Sequence, residues 1–192
     1  MKYMGDSKWW NERFKVRELN VMIHEKCLED DIKFFNRSGK ILDVACGDGR
    51  NAIYLARLGY QVIAIDFSEE ALSRLNYFIN KESLKIETRL IDLSSNNVLV
   101  NLGEFDGGII NHYRLKPQLY TDLMKYIKKD GVLWINGFRD IPIDNNNITA
   151  TDILMDQDFA YLENYKLENK KLYELDQKKF VRYIWRKQKN RL

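Results

Sequence analysis

A short apolar strand that runs into a glycine-rich loop and then a helix is the feature that most constrains this sequence. The run 41–45 is apolar apart from Asp43, and Gly47 and Gly49 follow it. Glycine lets the backbone approach a ligand with no side chain in between. The free amides and positive dipole end of the next helix would face that ligand. The segment therefore predicts a ligand-binding strand-loop-helix unit.

Strand and helix patterns alternate along the middle of the chain. Apolar or alternating runs predict strands, and amphipathic runs between them predict helices. The predicted strands are 41–45, 61–65, 84–91, 105–111 and 132–138, and the predicted helices are 51–58, 69–80 and 117–128. This alternation predicts a parallel sheet with helices on both faces.

The two ends of the chain depart from that alternation. Residues 7–35 are amphipathic and predict one or two helices. Beyond 138 the sequence predicts a polar loop at 139–150, a short acidic helix at 151–162 and a hairpin of strands 171–175 and 179–186. With no internal repeat and no clear boundary, residues 1–192 are expected to form a single domain.

Composition argues against several classes of protein. Thirty-one basic and 28 acidic residues give a net charge of only +3, which favours neither nucleic acid nor membrane as a partner. No apolar run reaches the roughly 18 residues that span a bilayer, and the first residues lack the apolar stretch of a signal peptide. The two cysteines and two histidines are not at metal-ligand spacing. We expect a cytoplasmic monomer or homodimer without a metal.

Three acidic residues indicate the chemistry of the ligand. Asp43 lies inside the first strand, where a carboxylate suits a ligand with an ammonium group. Asp66 ends the second strand, where it can accept both hydroxyls of a ribose. Asp92 follows the third strand and can take an adenine amino group, while Leu93 covers the ring.

The run Gly47-x-Gly49-x-x-Ala52 also satisfies the dinucleotide fingerprint, so an NAD- or FAD-binding oxidoreductase is an alternative. A pyrophosphate gains nothing from the Asp43 carboxylate. The chain also ends in a hairpin, whereas a dinucleotide fold continues with helix-strand units. Both features count against the alternative.

The pattern Asp43-x-Ala45-Cys46-Gly47-x-Gly49, with Asp66-Phe67-Ser68, resembles the class I (seven-stranded) S-adenosylmethionine-dependent methyltransferases. The variant that continues Arg50-Asn51-Ala52 is similar to the small tellurite-resistance-type methyltransferases. The resemblance implies a Rossmann-like, mostly parallel seven-stranded sheet with a C-terminal antiparallel hairpin. It also implies a helical lid at 1–38, a cofactor-binding core at 40–138 and an acceptor-side segment at 139–192.

The resemblance implies that S-adenosylmethionine is the cofactor and S-adenosylhomocysteine the product. Asp43 would hold the methionine amino group, Asp66 the ribose, and Phe67 the adenine face. The expected cofactor-binding residues are Trp10, Arg13, Asp43, Ala45, Gly47, Gly49, Arg50, Asn51, Asp66, Phe67, Ser68, Asp92, Leu93 and Asn111.

The aromatic segment 9–14 is a second candidate for cofactor contact. Small members of the family often open with a tryptophan and an arginine that close over the cofactor. Arg13 could then pair with the cofactor carboxylate, with Trp10 as an apolar wall. The alternative is a helix that packs its aromatic side chains on the sheet, and the sequence leaves both open.

The acceptor should lie where the fourth strand ends, because ligands of parallel sheets bind beyond the carboxyl ends of the strands. His112 is a candidate general base and Tyr113 a candidate orienting group, although a strand-end histidine can also be purely structural. Arg114 and Arg139 could bind an anionic group of the acceptor, or they could be solvated surface charges. The Pro-Pro-Tyr segment typical of nucleic-acid-base methyltransferases is replaced here by His112 and Tyr113.

The basic segment 178–192 contains interleaved aromatic residues and keeps an RNA methyltransferase as an alternative. Lysines that guard the edge of a sheet are the favoured explanation, and the acidic stretch 140–176 would repel a phosphate backbone. The sequence therefore favours methyl transfer to oxygen, nitrogen or a chalcogen of a small molecule.

Overall fold

The computed structural model describes residues 6–95, 99–145 and 147–188. Within these ranges the helices are α1 (Ser7–Lys15), α2 (Lys26–Asp31), α3 (Arg50–Arg57), α4 (Glu69–Glu82) and α5 (Pro117–Tyr126). The strands are β1 (Lys40–Val44), β2 (Gln61–Asp66), β3 (Ile86–Leu90), β4 (Phe105–Asn111), β5 (Ile127–Phe138), β6 (Lys166–Leu175) and β7 (Lys178–Arg186). Short 3-10 helices cover Ile32–Phe34, Ala150–Asp152 and Asp156–Leu162.

The strands form one sheet in the order β3-β2-β1-β4-β5-β7-β6. Strands β1 to β5 pair in parallel, whereas β7 is antiparallel to both β5 and β6. The predicted fold class, a doubly wound, mostly parallel sheet with an antiparallel hairpin, is confirmed. An antiparallel strand inserted beside β5 differs from the dinucleotide-binding order 3-2-1-4-5-6, which disfavours the oxidoreductase alternative.

Both faces of the sheet are covered. Leu42 belongs to the apolar cluster that includes α5, whereas Ile41 belongs to the cluster that includes α3 and α4. Neighbouring residues of β1 therefore point to opposite layers, which explains why parallel strands are nearly continuously apolar. This burial holds the carboxyl ends of β1 and β4 side by side.

Strand β5 begins earlier than the predicted 132–138. Its first residue, Ile127, pairs with Phe105, and a register shift follows before Gly107 pairs with Val132. A side chain at Gly131 would place its Cβ 2.6 Å from the carbonyl oxygen of Asp106. The predicted turn at this glycine is therefore an irregularity inside the strand, and only glycine fits there.

The predicted helix 151–162 is wrong, because two 3-10 helices occupy this stretch. The Asp152 carboxylate accepts the Thr149 amide at 2.8 Å, and Asp158 accepts the Met155 amide at 2.9 Å. Short acidic side chains thus accept hydrogen bonds from local backbone amides, and these bonds compete with those of a continuous α-helix.

The C-terminal hairpin is confirmed and is longer than predicted. Its turn consists of Asp176 and Gln177, which both have positive φ (48° and 61°). Two such residues match the right-handed twist of the paired strands. Lys178, predicted to lie in the turn, is the first residue of β7.

The amphipathic pattern between the first two helices does not form a third helix. Val16 and Ile23, expected on a buried face, are 82% and 83% exposed. The Arg74 guanidinium instead donates to the carbonyls of Arg17 and Glu18 at 2.9 and 2.6 Å. The segment therefore runs across the sheet edge without regular structure.

Candidate active site

The loop between β1 and α3, residues 45–49, is called the glycine loop below. Ala45, Gly47 and Gly49 all have positive φ (54°, 57° and 83°). Positive φ is unfavourable for a residue with a side chain, so Ala45 is held in a strained conformation beside two glycines. Such strain is concentrated at ligand-binding sites.

Asp43 lies beneath the glycine loop and is only 2% exposed. Its Oδ2 atom is fully buried and has no hydrogen-bond partner among the described residues. Burial, and then the neighbouring Asp66 carboxylate, raise the pKa of Asp43 to about 8. A buried polar atom without a partner is costly. An ammonium group in the site would satisfy this oxygen, so the site fits a ligand such as S-adenosylmethionine.

Asp66 ties the glycine loop to the end of β2. Its Oδ2 accepts the Gly47 amide at 2.8 Å and its Oδ1 accepts the Ser68 amide at 2.9 Å. Burial raises the pKa of Asp66, and these amide hydrogen bonds oppose the rise. Sequence reasoning predicted the ribose role for Asp66 and missed this loop-anchoring role.

The other predicted adenine-side residues differ in burial. Ser68 is fully buried and its Oγ accepts the Ala71 amide at 3.1 Å, which caps α4. Asp92 is exposed and accepts the Ser94 amide at 2.8 Å, which forms a local turn. Leu93 is buried and Phe67 half-buried. Contact with adenine stays a prediction for this group.

Residues 6–25, called the lid segment below, cross the glycine loop. Phe14 is buried, and its ring lies 3.2 Å from the position that a Cβ on Gly47 would take. The Asn11 side chain accepts the Ser68 hydroxyl at 2.6 Å. Arg13 is exposed and stacks over Trp9 and Trp10, at 5.1 and 5.9 Å from the ring centres. In this arrangement Phe14, which the sequence analysis did not select, contacts the glycine loop.

Ion pairs also attach the lid segment to the glycine loop and α4. Asp48 of the glycine loop lies between Arg17 Nη1 at 3.0 Å and Arg74 Nε at 3.4 Å. Both Asp48 and Arg74 are buried. No spacing rule in the sequence links these three residues, so this cluster could not have been found from it.

Glu25, at the end of the lid segment, is 5% exposed and connects several predicted site residues. Its Oε2 accepts hydrogen bonds from Arg50 Nη2 at 3.0 Å and from Asn111 Nδ2 at 3.3 Å. The Glu25 amide donates to Asn51 Oδ1 at 2.9 Å. His112 Nε2 lies 3.3 Å from the same Oε2, in a direction that does not make a hydrogen bond. Sequence reasoning missed Glu25, because no motif includes it.

A chain of hydrogen bonds ends at Glu25. The Tyr173 hydroxyl donates to Asn136 Oδ1 at 2.8 Å, and Asn136 Nδ2 donates to Asn111 Oδ1 at 2.9 Å. Asn111 then donates to Glu25, so every donor points toward the carboxylate. Burial raises the pKa of Tyr173, which keeps its hydroxyl protonated as a donor. Tyr173, Asn136, Asn111 and Glu25 are called the polar chain below.

His112 follows β4 with a positive φ of 55°, and its amide donates to the Asn136 carbonyl at 2.7 Å. Its ring stacks on Phe180 at 5.4 Å and tilts against Phe138 at 5.0 Å. Burial, and then the Arg50 charge, lower the pKa of His112 to about 3. The imidazole is therefore neutral and weakly basic near pH 7, which disfavours the predicted role as general base.

Neither of the two arginines predicted to bind an anion lies free beside His112 and Asn111. Arg114 pairs through two nitrogens with Asp158, which is 1% exposed. Arg139 is exposed, and its Nε lies 4.0 Å from Asp140. Tyr113 is half-buried and packs against the apolar cluster on the α5 side. The structure brings His112 and Asn111 together with Glu25, but neither arginine joins them.

Within the described ranges, no three or more His, Cys, Asp or Glu side chains are placed to hold a metal ion. No described helix is long and apolar enough to cross a bilayer.

The sheet order, the glycine loop and the buried Asp43 define the class: this is the fold of class I S-adenosylmethionine-dependent methyltransferases. A family model described as "Tellurite resistance protein TehB" matches residues 3–131. The chain belongs to this family, as the glycine-loop motif had indicated.

Individual relatives and solved structures agree with the methyltransferase class. The "Probable S-adenosyl-L-methionine-dependent methyltransferase TehB" of Haemophilus influenzae is 44% identical over 62 residues, 32% of this chain and 22% of the relative. The crystal structure of TehB from Haemophilus influenzae has a TM-score of 0.70 at 24% identity, covering 93% of this chain and 67% of that chain. The "Ribosomal RNA small subunit methyltransferase C" of Alcanivorax borkumensis is 27% identical over 111 residues, 55% of this chain and 34% of the relative. The chain thus matches only about a fifth to a third of the length of these two curated relatives.

Proposed function

We propose that this chain transfers the methyl group of S-adenosylmethionine to a small-molecule acceptor at the carboxyl ends of β1, β2 and β4. The observation that carries the proposal is the buried, unpaired Oδ2 of Asp43 beneath the glycine loop. When bound, the cofactor supplies a methyl group on a sulfonium, which is itself a good leaving group. The protein mainly has to position the two reactants.

Each part of the site has a role in this proposal. Asp43 holds the ammonium group and Asp66 the ribose, while Asp66 also keeps the glycine loop against β2. Phe14 covers the glycine loop and excludes water from it. The end of β4, with Asn111 and His112, faces the acceptor.

A small acceptor is favoured over RNA. Arg50 is already paired with the Glu25 carboxylate, and Arg114 with Asp158. The phosphate backbone of RNA would find neither of these arginines free to bind it. The family description, tellurite resistance, also suggests a small acceptor, so oxygen, nitrogen and chalcogen atoms all remain candidates for the methylated atom.

Calorimetric titration with S-adenosylhomocysteine tests the proposal. We expect binding by the wild type, and a loss of about 10- to 100-fold in affinity for Asp43→Asn, since a hydrogen bond to a charged group is worth about 1.5–3 kcal/mol. Glu87→Gln, on the exposed edge strand β3, is the matched control and should bind like the wild type. Binding of NAD without a response to S-adenosylhomocysteine would refute the proposal.

A further inference from the structure

The acceptor side carries a carboxylate with one unused oxygen. Oε2 of Glu25 receives Arg50 and Asn111, and it is also the oxygen nearest His112. The other oxygen, Oε1, accepts no hydrogen bond from any described residue and is not fully buried. Glu25 therefore presents a hydrogen-bond acceptor to whatever enters the site.

The polar chain fixes this carboxylate in place. Asn111 Nδ2 donates to Glu25, while Asn111 Oδ1 accepts a hydrogen bond from Asn136 Nδ2. Asn136 Oδ1 in turn accepts one from the Tyr173 hydroxyl. Asn136 is completely buried. These successive hydrogen bonds hold the Glu25 carboxylate in one orientation.

Aromatic rings lie beside the same carboxylate. His112, whose Nε2 is 3.3 Å from Glu25 Oε2, stacks on Phe180 and touches Phe138, while Tyr173 stacks on Phe180 at 5.3 Å. These rings pack against one another, so the open acceptor beside them is Oε1. A carboxylate oxygen without a donor is suited to an N–H group and unfavourable for an anion.

We infer that Glu25 is a catalytic residue that binds an amine acceptor through Oε1, so that the methylated atom is nitrogen. This inference rests on the proposed methyl transfer and adds the class of acceptor to it. The ammonium form of the acceptor binds first, held by Glu25 Oε1.

The reaction then balances as follows. One N–H proton of the ammonium passes to Glu25 Oε1 and on to water, which frees the nitrogen lone pair. The lone pair forms the N–C bond to the methyl group while the C–S bond breaks and its electrons remain on sulfur. The product leaves as a protonated methylamine, whose new positive charge Glu25 stabilises.

Three probes of nearly equal shape test this inference: phenethylamine, 2-phenylethanol and phenylacetate. Their dissociation constants for the complex with S-adenosylhomocysteine can be measured by ligand-observed NMR. The wild type should bind phenethylamine at least about tenfold more tightly than the other two, because only it brings a positive charge to the Glu25 carboxylate. Equal binding, or preference for the alcohol or the anion, would overturn the inference.

Two variants identify the responsible group. Glu25→Gln should lose the preference for the amine, and Glu25→Asp should keep part of it and so guard against a folding defect. Glu29→Gln, half exposed on α2 and paired with His24, is the matched control and should keep the full preference. If Glu25→Gln binds S-adenosylhomocysteine normally and still prefers the amine, Glu25 does not bind the acceptor.

Methyl transfer from labelled S-adenosylmethionine to a panel of amines, thiols, alcohols and tellurite separates the two proposals. Faster transfer to amines, reduced at least about a hundredfold by Glu25→Gln, is expected for proton transfer through a carboxylate. Preferred transfer to tellurite or a thiol would leave methyl transfer intact and refute the amine acceptor. Failure of S-adenosylhomocysteine to bind at all would instead refute the proposed function.

Discussion

The proposed cofactor side and the proposed acceptor side of this site are built from different kinds of contact. On the cofactor side, Asp66 binds backbone amides of Gly47 and Ser68, all within one strand-loop-helix-strand unit. On the acceptor side, side chains of Glu25, Asn111, Asn136 and Tyr173 meet from four separate parts of the chain. The first arrangement follows from a local motif, and the second exists only when the whole sheet has formed.

On the cofactor side, the largest effect is expected from the protonation of Asp43, which changes how the free energy of unfolding depends on pH. Its pKa of about 8 in the fold exceeds that of an unfolded aspartate, about 3.9. Between these values the folded protein binds a proton that the unfolded chain does not. The free energy of unfolding should therefore fall as the pH rises from 5 to 8, by up to about 1.4 kcal/mol per unit for this group.

Urea unfolding of the cofactor-free protein at several pH values measures this slope. Asp43→Asn should remove the share due to Asp43, so that the stability of the variant overtakes that of the wild type as the pH rises. Parallel pH profiles for the two proteins would show that Asp43 is not protonated in the fold.

Damage to the acceptor side should lower stability and leave cofactor binding intact. Asn136→Ala removes both of its side-chain bonds, which leaves Asn111 Oδ1 without that donor and the Tyr173 hydroxyl with the Cys27 thiol alone, at a cost of about 2 kcal/mol. Urea unfolding measures the loss, and calorimetry with S-adenosylhomocysteine should show an affinity within about threefold of the wild type. Asn76→Ala, at an exposed hydrogen bond, is the control. A parallel loss of cofactor affinity would mean that the two sides form one unit.

The lid segment should affect the cofactor side through Phe14. Phe14→Ala opens the glycine loop to water and should weaken S-adenosylhomocysteine binding about tenfold, the equivalent of roughly 1.4 kcal/mol of lost burial. Trp9→Ala, at an outward-facing ring that is 39% exposed, should change the affinity little. Equal effects of the two substitutions would show that the lid acts as a whole and not through this ring.

The smallest effect is expected at His112. With a pKa of about 3, the imidazole does not titrate between pH 6 and 8. The dependence of turnover on pH at saturating cofactor should therefore show no titration step from His112 in this range. His112→Gln should lower turnover less than about tenfold. A loss of a hundredfold, the usual scale of a general base, would return that role to His112.

The same division explains what the sequence could predict. The bounds of β4, the place of Asp43 inside β1 and that of Asp66 at the end of β2 follow from apolar patterning and a local motif. The fold they predict is confirmed. Residue periodicity reports only on neighbours along the chain. It placed Val16 and Ile23 on a buried face, although both are exposed.

The residues of the acceptor side could not have been predicted in the same way. Glu25 lies outside every motif, and Tyr173 reaches it through two asparagines of other strands. Arg114 looked available for an anion because nothing in its neighbourhood in the sequence indicates that Asp158 will pair with it. Long-range pairing of buried polar groups depends on the register of strands, which single residues do not reveal.

The two-residue turn at Asp176 and Gln177 has a consequence for how the acceptor range of such a protein can evolve. The turn sets the register that places Tyr173 opposite Phe180. Deleting one residue on the β6 side of the turn would bring Leu172 opposite Phe180, and adding one would bring Glu174 there. The replaced side chain would then lie on the face that Tyr173 now occupies, since side chains alternate between the faces of a strand. One insertion or deletion could thus replace a phenol by an alkyl group or a second carboxylate, while the glycine loop, far away in the sheet, keeps its cofactor.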